Sequence, residues 1–421
     1  MKKIVLKFIY NILAWYTRQY LKKTQPFVIW VTWSVWKTSC RMILYKVLQK
    51  HLSELNIYTS PKNFNSELWL IFSIFKIEEY KWGLKELIKL TRKIKKMSQD
   101  AEKVYDIIIL EYGIDHPRDM DFLLSFVEPD LSVFTKLWSI HVENFWSVEN
   151  IGNEKFKLIE DTLYKTYLNF DDEFLKRKYS EINIRTEFFN KCPIDFKYIK
   201  QWNTVFSKLV FDSKTIKTNI LWSENFAYIQ LAYFMLEDFW VVLKDFEETF
   251  DLENEAWRFN VLEWIHNSIL VDSTYNAWPE SMDKMIDNVI TLRKRLYPDY
   301  KLWFVIWDMK ELWKFSKDSH IKLSEKLKDN DLLITVWSQT KKYFSKDTIN
   351  FLSSRQAWAY LKNELDKTTD KYIILFKWSQ NTIFVEEALK EVLLNQDDEK
   401  KLVRQDSVWL NNKNKFFSKV K

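Results

Sequence analysis

Residues 31–40, "VTWSVWKTSC", have the frame of a phosphate-binding loop. An apolar run at 27–29 precedes them as a strand would, and Lys37-Thr38-Ser39 leads into a segment with helical spacing. This is the pattern of a P-loop, G-x-x-x-x-G-K-[ST] or the shorter G-x-x-G-K-[ST], in which backbone N–H groups surround phosphates. A strand, loop and helix in this order favour an α/β sheet. The positions that require glycine, however, carry Trp33 and Trp36.

Glycine is scarce and tryptophan is in excess across the whole chain. There are 3 Gly and 21 Trp in 421 residues, whereas glycine usually makes up about 7% of a protein. The tryptophans fall in turn-like contexts that favour glycine, such as "NAWPES" (276–281), "VWSQT" (336–340) and "VIWDMKELWK" (305–314).

We therefore predict that most of these tryptophans are glycine in the natural protein, because UGA codons read as glycine in the source have been translated as tryptophan. Trp33 and Trp36 belong to this group, and we expect many of the other indoles to be exposed at turns. Five tryptophans in aromatic or helical contexts are predicted to be genuine: Trp15, Trp82, Trp202, Trp303 and Trp409. The alternative is a protein that is naturally rich in tryptophan.

Length, charge and cysteine content narrow the class of protein. A chain of 421 residues is long enough for two or three domains. The net charge is +6, but the lysines are spread along the chain and form no basic arm, so a nucleic-acid partner is not favoured. Two cysteines, Cys40 and Cys192, are too few for a disulfide framework and suit the reducing cytoplasm.

Residues 1–26 form a predicted amphipathic helix that precedes the loop. Apolar residues recur at helical spacing, and Lys7 and Arg18 interrupt any run long enough to cross a bilayer. No signal-peptide cleavage site follows. One interpretation is a helix packed on the body of the protein. The other is a helix that contacts the inner membrane surface through residues 1–23.

Strands and helices alternate after the loop. "DIIILEYG" (106–113) and "LSVFTKL" (131–137) read as buried parallel strands, with a helical stretch at 120–127 between them. The alternation starts again with strand candidates at 267–274, 302–308, 332–336 and 372–377, separated by helical stretches at 281–296 and 384–394. The predicted fold class is α/β, with a P-loop doubly wound central ATPase domain at 27–254 and a Rossmann-like C-terminal α/β domain at 255–421.

With glycine at the tryptophan positions, the chain resembles the Mur ligase family, and its MurF branch in particular. The segments that carry the resemblance keep the order of the family: 32–39 "TWSVWKTS", 60–70 "SPKNFNSELWL", 111–155, 257–282 with "DSTYNAWP", and 305–314 "VIWDMKELWK". The resemblance implies a cytoplasmic, ATP- and Mg²⁺-dependent ligase that forms an amide bond through an acyl phosphate. It would add a dipeptide of the D-Ala-D-Ala class, or an amino acid, to a UDP-linked muramoyl peptide, and we expect a monomer.

Two alternatives remain open at this point. One is another ligase of the superfamily, such as a folylpolyglutamate or cyanophycin synthetase. The other is a non-catalytic nucleotide-binding relative, which gains weight if the tryptophans are genuine. Only 26 residues precede the P-loop strand, too few for the domain with which MurF enzymes bind the uridine nucleotide. This departure predicts either that the UDP portion is held differently or that the substrate is a different amino-sugar peptide or acidic peptide.

The resemblance also implies the site residues. The ATP-binding set is Trp33, Ser34, Val35, Trp36, Lys37, Thr38, Ser39, Asn225, Arg258 and Asp272. The Mg²⁺ ligands are Thr38, Glu111, His141 and Lys155, the last as a carbamate. The catalytic set is Lys37, His141, Lys155 and Arg258. The adenine-side motif H-N-x-x-N departs from the family, because Glu224 replaces its histidine and Tyr228 its second asparagine.

Overall fold

The computed structural model describes residues 2–32, 36–60, 67–77, 83–114, 116–137, 145–201, 204–252, 260–263, 268–273, 278–309, 312, 315–328, 330–345, 348–352, 354–377 and 407–418. These residues form two compact units. The first comprises Met1–Phe196 and Lys208–Leu252, and the second comprises Lys197–Ser207 and Glu253–Lys421.

The first unit is built on a six-stranded sheet. Its strands are β1 (Phe27–Thr32), β2 (Ile57–Thr59), β3 (Ile107–Glu111), β4 (Leu131–Phe134), β5 (Lys165–Asn169) and β6 (Arg185–Phe189). All neighbours pair in parallel, in the order β2-β3-β1-β4-β5-β6. Every residue of β3, β4 and β5 is buried, as expected when helices cover both faces of a parallel sheet. Strands β2 and β3 lie on one side of β1, and β4, β5 and β6 lie on the other, so the direction of strand addition reverses at β1. This reversal confirms the predicted doubly wound fold.

Helices cover this sheet. They are α1 (Lys2–Thr24), α2 (Lys37–His51), α3 (Glu67–Ile74), α4 (Leu84–Gln99), α5 (Asp119–Leu124), α6 (Val148–Glu160) and α7 (Glu173–Lys178). Helix α1 packs against α3 and α4, and the Ser98 hydroxyl donates to the Tyr16 carbonyl at 2.9 Å. One face of α1 is thus part of the core, while Phe8 and Trp15 are exposed on it. No helix in the described part of the chain is long and apolar enough to cross a membrane.

A smaller sheet of four strands, not predicted from the sequence, lies between residues 195 and 250. It has the order β10-β9-β8-β7, and its strands are β7 (Asp195–Gln201), β8 (Thr204–Phe211), β9 (Lys214–Thr218) and β10 (Glu247–Phe250). Helix α8 (Phe226–Met235) follows β9 in the chain and continues into a 3₁₀ turn, Leu236–Phe239. Helix α8 is buried against α2.

The second unit contains another six-stranded sheet. Its strands are β11 (Asn260–Glu263), β12 (Ile269–Ser273), β13 (Lys301–Trp307), β14 (Leu332–Val336), β15 (Ile349–Phe351) and β16 (Tyr372–Lys377). The order is β11-β12-β16-β13-β14-β15, and only β11 among these strands pairs antiparallel. Its helices are α9 (Pro279–Leu296), α10 (Ser316–Leu327), α11 (Ser338–Tyr343), α12 (Ser354–Asp366) and α13 (Ser407–Phe417). The predicted second α/β fold is confirmed, and the helix predicted at 384–394 lies outside the described residues.

Several tryptophans have backbone angles that tryptophan rarely adopts. Of the eleven non-glycine residues with positive φ in the described chain, four are tryptophans: Trp36 at 58°, Trp146 at 62°, Trp240 at 63° and Trp337 at 96°. A bulky residue is strained in this region, whereas glycine adopts it freely. These four positions therefore have the backbone of glycine sites, as the recoding hypothesis predicts.

The expected exposure of the indoles is wrong for several tryptophans. Trp146 and Trp240 are exposed, at 74% and 94%, but Trp222, Trp307 and Trp358 are buried. Trp30 is also fully buried, and its indole N–H has no hydrogen-bond partner in the structure. An indole at a buried position packs into the core even where the sequence suggests a turn, so backbone angle is the better criterion than exposure.

Replacing a strained tryptophan with glycine should stabilise the chain. Trp240 ends the 3₁₀ turn at φ 63° with its ring in solvent, so W240G should raise the free energy of unfolding by about 1 kcal/mol. The matched control is W15G, since Trp15 is exposed within α1 and glycine there should cost about 1 kcal/mol. Thermal denaturation measures both. A W240G chain that is destabilised as much as W15G would contradict the assignment.

The end of α2 is fixed by a carboxylate from β10. Glu248 pairs with Lys50 at 2.7 Å and with His51 at 3.1 Å, and it accepts a hydrogen bond from the Tyr233 hydroxyl of α8. Partial burial acts to raise the pKa of Glu248, but the hydrogen bonds from His51, Lys50 and Tyr233 outweigh it and lower the pKa to about 2. The ionised carboxylate thus holds α2 against α8 and the small sheet.

Because the folded pKa lies below the ordinary value of 4.5, the stabilisation is present above pH 4.5 and is lost as the pH falls through about 2. We predict that E248Q lowers the free energy of unfolding by about 1–2 kcal/mol at pH 7, discounted for partial exposure. The difference should shrink below pH 4.5 in urea denaturation. E247Q is the control, since the Glu247 side chain is 74% exposed. A difference between E248Q and the parent that does not change with pH would contradict this account.

Candidate active site

The candidate site begins where β1 passes into α2. Trp36 has a left-handed backbone at φ 58° and ψ 13°, and α2 starts at the next residue, Lys37. The predicted P-loop residues Trp33, Ser34 and Val35 lie outside the described part of the chain. A helix N-terminus at the carboxyl end of a central parallel strand presents N–H groups and a positive dipole, so it suits an anion.

Thr38 and Glu111 meet beside this helix N-terminus. The Thr38 hydroxyl donates to Glu111 Oε1 at 2.9 Å, and both residues are buried. The parallel register explains the contact, because Val31 of β1 lies beside Glu111 of β3 at the carboxyl ends of both strands. Two of the four predicted metal ligands are therefore brought together by residues far apart in sequence.

The chemistry of this pair fits Mg²⁺. A hydroxyl and a carboxylate are hard oxygen donors, the ligand type that Mg²⁺ prefers, and Mg²⁺ is usually held by one or two carboxylates together with phosphates. Among the described side chains, no group of three or more His, Cys, Asp or Glu could hold a metal ion. The predicted ligand set contains a threonine and a lysine, and its histidine, His141, lies outside the described residues.

Arg41 is a residue of this cluster that the sequence reasoning missed. Its Nε donates to Glu111 Oε2 at 3.3 Å, and its Nη1 donates to the Thr59 hydroxyl at 2.7 Å and to the Ser60 carbonyl at 2.5 Å. The side chain is only 1% exposed. The sequence does give one signal for this residue: Arg41 follows Lys37 by one turn of α2, so both side chains lie on the same face of the helix.

The surroundings of the cluster are apolar and carry negative charge. Burial, and then the charge of Glu111, raise the pKa of the Cys40 thiol well above its ordinary value. Cys40 therefore stays a neutral, buried side chain at the base of α2 and is no candidate nucleophile.

The indole of Trp36 lies close to the predicted adenine-side segment. Its ring contacts that of Trp222 edge to face at 5.9 Å, just before a 3₁₀ turn, Ser223–Asn225. Asn225 is buried, and within the described part of the chain its Oδ1 has no hydrogen-bond partner. A buried acceptor of this kind fits the amino group of a base. Glycine at position 36 would remove the indole between the loop and this segment.

Lys155 lies on α6, which Ser147 caps by accepting from the Asn150 backbone N–H at 3.1 Å. Its side chain is 3% exposed. The neighbouring Glu154 accepts from the Arg118 backbone N–H at 2.8 Å, which fixes the start of α5 against α6. Lys155 is thus a buried lysine on a well-anchored helix, whereas Lys157 is the partly exposed one, paired with Asp121 at 2.8 Å.

Two of the predicted site residues, Asp272 and Arg258, belong to the second unit. Asp272 is fully buried in β12, beside Asn260 on one side and Phe376 on the other. Arg258 lies outside the described residues. Next to Asp272, Ser273 accepts hydrogen bonds from the Lys377 ammonium through its hydroxyl and its carbonyl, each at 3.2 Å.

Asp308, in the "WDMKELW" segment, has a structural role. Its carboxylate accepts from the backbone N–H groups of Gln339 at 2.9 Å and Thr340 at 2.7 Å, and so caps α11. The nearby His320 accepts from the Met309 N–H at 3.1 Å. The segment quoted for the family resemblance therefore stabilises the fold at this position.

Comparison with known proteins gives the same family. Residues 31–221 match the model of the Mur ligase middle domain. The structure is similar to a MurF ligase from Thermotoga maritima solved in complex with ADP, with 23% identity, a TM-score of 0.71, and coverage of 93% of this chain and 84% of that one. MurF from Acinetobacter baumannii matches with 16% identity, a TM-score of 0.71, and coverage of 91% and 79%.

A folylpolyglutamate synthase from Thermotoga maritima has a weaker structural match. The identity is 13% and the TM-score 0.53, with coverage of 95% of this chain and 99% of that one. At these identities the structural likeness establishes the fold. Together with the sequence match, the comparisons show a Mur ligase middle domain at residues 31–221 and a fold similar to that of MurF ligases.

Proposed function

We propose that the chain is an ATP-dependent ligase of the MurF type, which joins a dipeptide of the D-Ala-D-Ala class to a UDP-linked muramoyl peptide in the cytoplasm. The observation that carries the proposal is the buried contact of Thr38 with Glu111 at the N-terminus of α2. The similarity to two MurF structures supports this branch.

The first step of such a reaction brings a substrate carboxylate to the γ-phosphate of ATP and forms an acyl phosphate with release of ADP. The amine of the dipeptide then attacks the acyl carbon, and phosphate leaves. Both partners of the first step are anions, so the site must supply positive charge where they meet. In our proposal Lys37 reaches the β- and γ-phosphates, and the N-terminus of α2 supplies its dipole.

Bound Mg²⁺ would neutralise charge on the phosphates and the developing acyl phosphate. Thr38 and Glu111 would hold one ion, and His141 and carbamylated Lys155 would contribute to a second. A lysine at 3% exposure suits this role, because a buried cation is costly and a carbamate converts it into a metal-binding carboxylate. Asn225 would accept from the adenine amino group, and Arg258 and Asp272 would contact the phosphates and ribose.

A substrate panel tests the function. The protein to use is the glycine form, which we define as the chain with W33G and W36G, because the P-loop pattern requires glycine at both positions. ADP release should require a UDP-muramoyl peptide and D-Ala-D-Ala together, and mass spectrometry should find the amide product. ADP release with a folate and glutamate instead would favour the folylpolyglutamate type, whose fold is also similar. No turnover of any pair, with ATP bound, would favour a non-catalytic relative.

Lys37 should be essential for turnover. In the glycine form, K37A should lower ATP-dependent phosphate release more than 100-fold, since about 3 kcal/mol of charge stabilisation is removed, while the melting temperature changes little. K46A, on the same helix α2, is the matched control and should retain activity. Turnover of K37A within a few-fold of the parent would refute the P-loop assignment.

Lys155 should affect chemistry more than nucleotide binding. We expect K155A to lower kcat at least 50-fold, roughly 2 kcal/mol, while the Kd for ATP changes less than threefold, because the second ion acts on charge that develops during transfer. A short carboxylic acid should partly restore the activity of K155A.

The control is K157A, two residues further along α6, whose side chain pairs at the surface with Asp121 and Glu154. K157A should change kcat less than threefold. If K155A and K157A have equal kcat values, Lys155 has no place in the metal site.

A further inference from the structure

We propose that Arg41 is a positioning residue of the active site, which fixes the Glu111 carboxylate so that one chosen oxygen, Oε1, faces the metal. This inference rests on the proposed function and extends it to a residue that the family resemblance did not assign. Arg41 touches Glu111 directly, and it acts on the bound metal and nucleotide only through that carboxylate.

The contacts of Arg41 join three segments of the first unit. The guanidinium belongs to α2, it pairs with Glu111 at the end of β3, and it binds Thr59 and Ser60 at the end of β2. The Thr59 hydroxyl in turn donates to the Ile109 carbonyl of β3 at 2.8 Å. The arginine thus locks the carboxyl ends of two neighbouring strands to the helix that follows the phosphate loop.

The two oxygens of Glu111 have different partners. Oε2 accepts from Arg41, and Oε1 accepts from the Thr38 hydroxyl at 2.9 Å. Because Arg41 holds Oε2, Oε1 is the oxygen that is turned toward Thr38, the other predicted ligand. A carboxylate that is hydrogen-bonded at one oxygen is held in a single orientation, and such outer partners strengthen metal binding.

The charge balance also favours this arrangement. The side chains of Arg41 and Glu111 are 1% and 6% exposed, so neither has water to compensate its charge. Removing one member of a buried pair leaves the other charge uncompensated. Lysine can supply the charge but not the planar fork that binds Glu111 and the end of β2 together.

One donor of the guanidinium is still available. Nη2 is buried and has no hydrogen-bond partner among the described residues. Covalent geometry places Nη2 on the same edge as Nε, so it lies on the Glu111 side of the guanidinium. A buried donor that makes no hydrogen bond is uncommon in folded proteins.

The test measures how much a metal strengthens nucleotide binding. ADP affinity of the glycine form is determined by calorimetry without metal and with Mn²⁺ in place of Mg²⁺, and the ratio of the two dissociation constants is the metal gain. R41M should lower the metal gain at least tenfold, while the affinity for ADP without metal changes less than threefold. R41K should lower the metal gain about threefold, since it keeps the charge and loses the fork.

A matched control separates positioning from stability. Lys165 is an equally buried cation in the same unit, paired with Asp238 at 3.0 Å and Glu187 at 2.7 Å. K165M should lower the melting temperature as R41M does, yet leave the metal gain unchanged. If R41M does not fold, R41K alone tests the proposal, because a threefold loss of metal gain can be measured by calorimetry.

Two results would overturn the proposal: a metal gain in R41K and in any folded R41M within 1.5-fold of the parent, or an equal loss of metal gain in K165M. If the glycine form itself binds ADP equally well with and without Mn²⁺, the proposed metal-dependent ligase function is wrong, and the role of Arg41 falls with it.

Discussion

The parallel pairing of β1 with β3 is the constraint on which the candidate site depends. Because Val31 and Glu111 lie side by side in this register, the carboxylate at the end of β3 reaches Thr38 in the first turn of α2. A shift of the register by one residue would turn Glu111 to the other face of the sheet. The buried strands on both sides fix the register, and the site follows from it.

The glycine sites of the fold are visible in its backbone even where the sequence carries tryptophan. Trp36 and Trp337 precede helices with positive φ, and Trp240 follows a 3₁₀ turn with positive φ. These are positions where a chain must change direction sharply, and a side chain adds strain there. The exposure of the indole rings does not mark the glycine sites, because an apolar ring packs into any available core.

Much of the fold could be predicted from the sequence, for a physical reason. The central strands β3, β12 and β16 are continuous apolar runs, since both faces of a parallel sheet are covered. Strand β8 is half buried with alternating exposure, and the turn that follows uses Asp212 and Ser213 at positive φ without glycine. The small sheet was therefore missed, because the turn between β8 and β9 carries no glycine to mark it.

The candidate site was predictable only in part. Lys37, Thr38 and Glu111 stand in motifs at the ends of strands, where α/β folds bind ligands. Arg41 could not be assigned in this way, because its role depends on the ends of β2 and β3 meeting around it. Asp308 shows the converse: it lies in a segment of the family resemblance, but its carboxylate caps α11.

The most direct measurement is the anomalous diffraction of Mn²⁺ in crystals of the glycine form grown with a non-hydrolysable ATP analogue. The account predicts a peak within about 2.3 Å of both the Thr38 hydroxyl and Glu111 Oε1, with Arg41 on the other carboxylate oxygen. A nucleotide bound with Mn²⁺ elsewhere, or a peak that Glu111 does not touch, would contradict it.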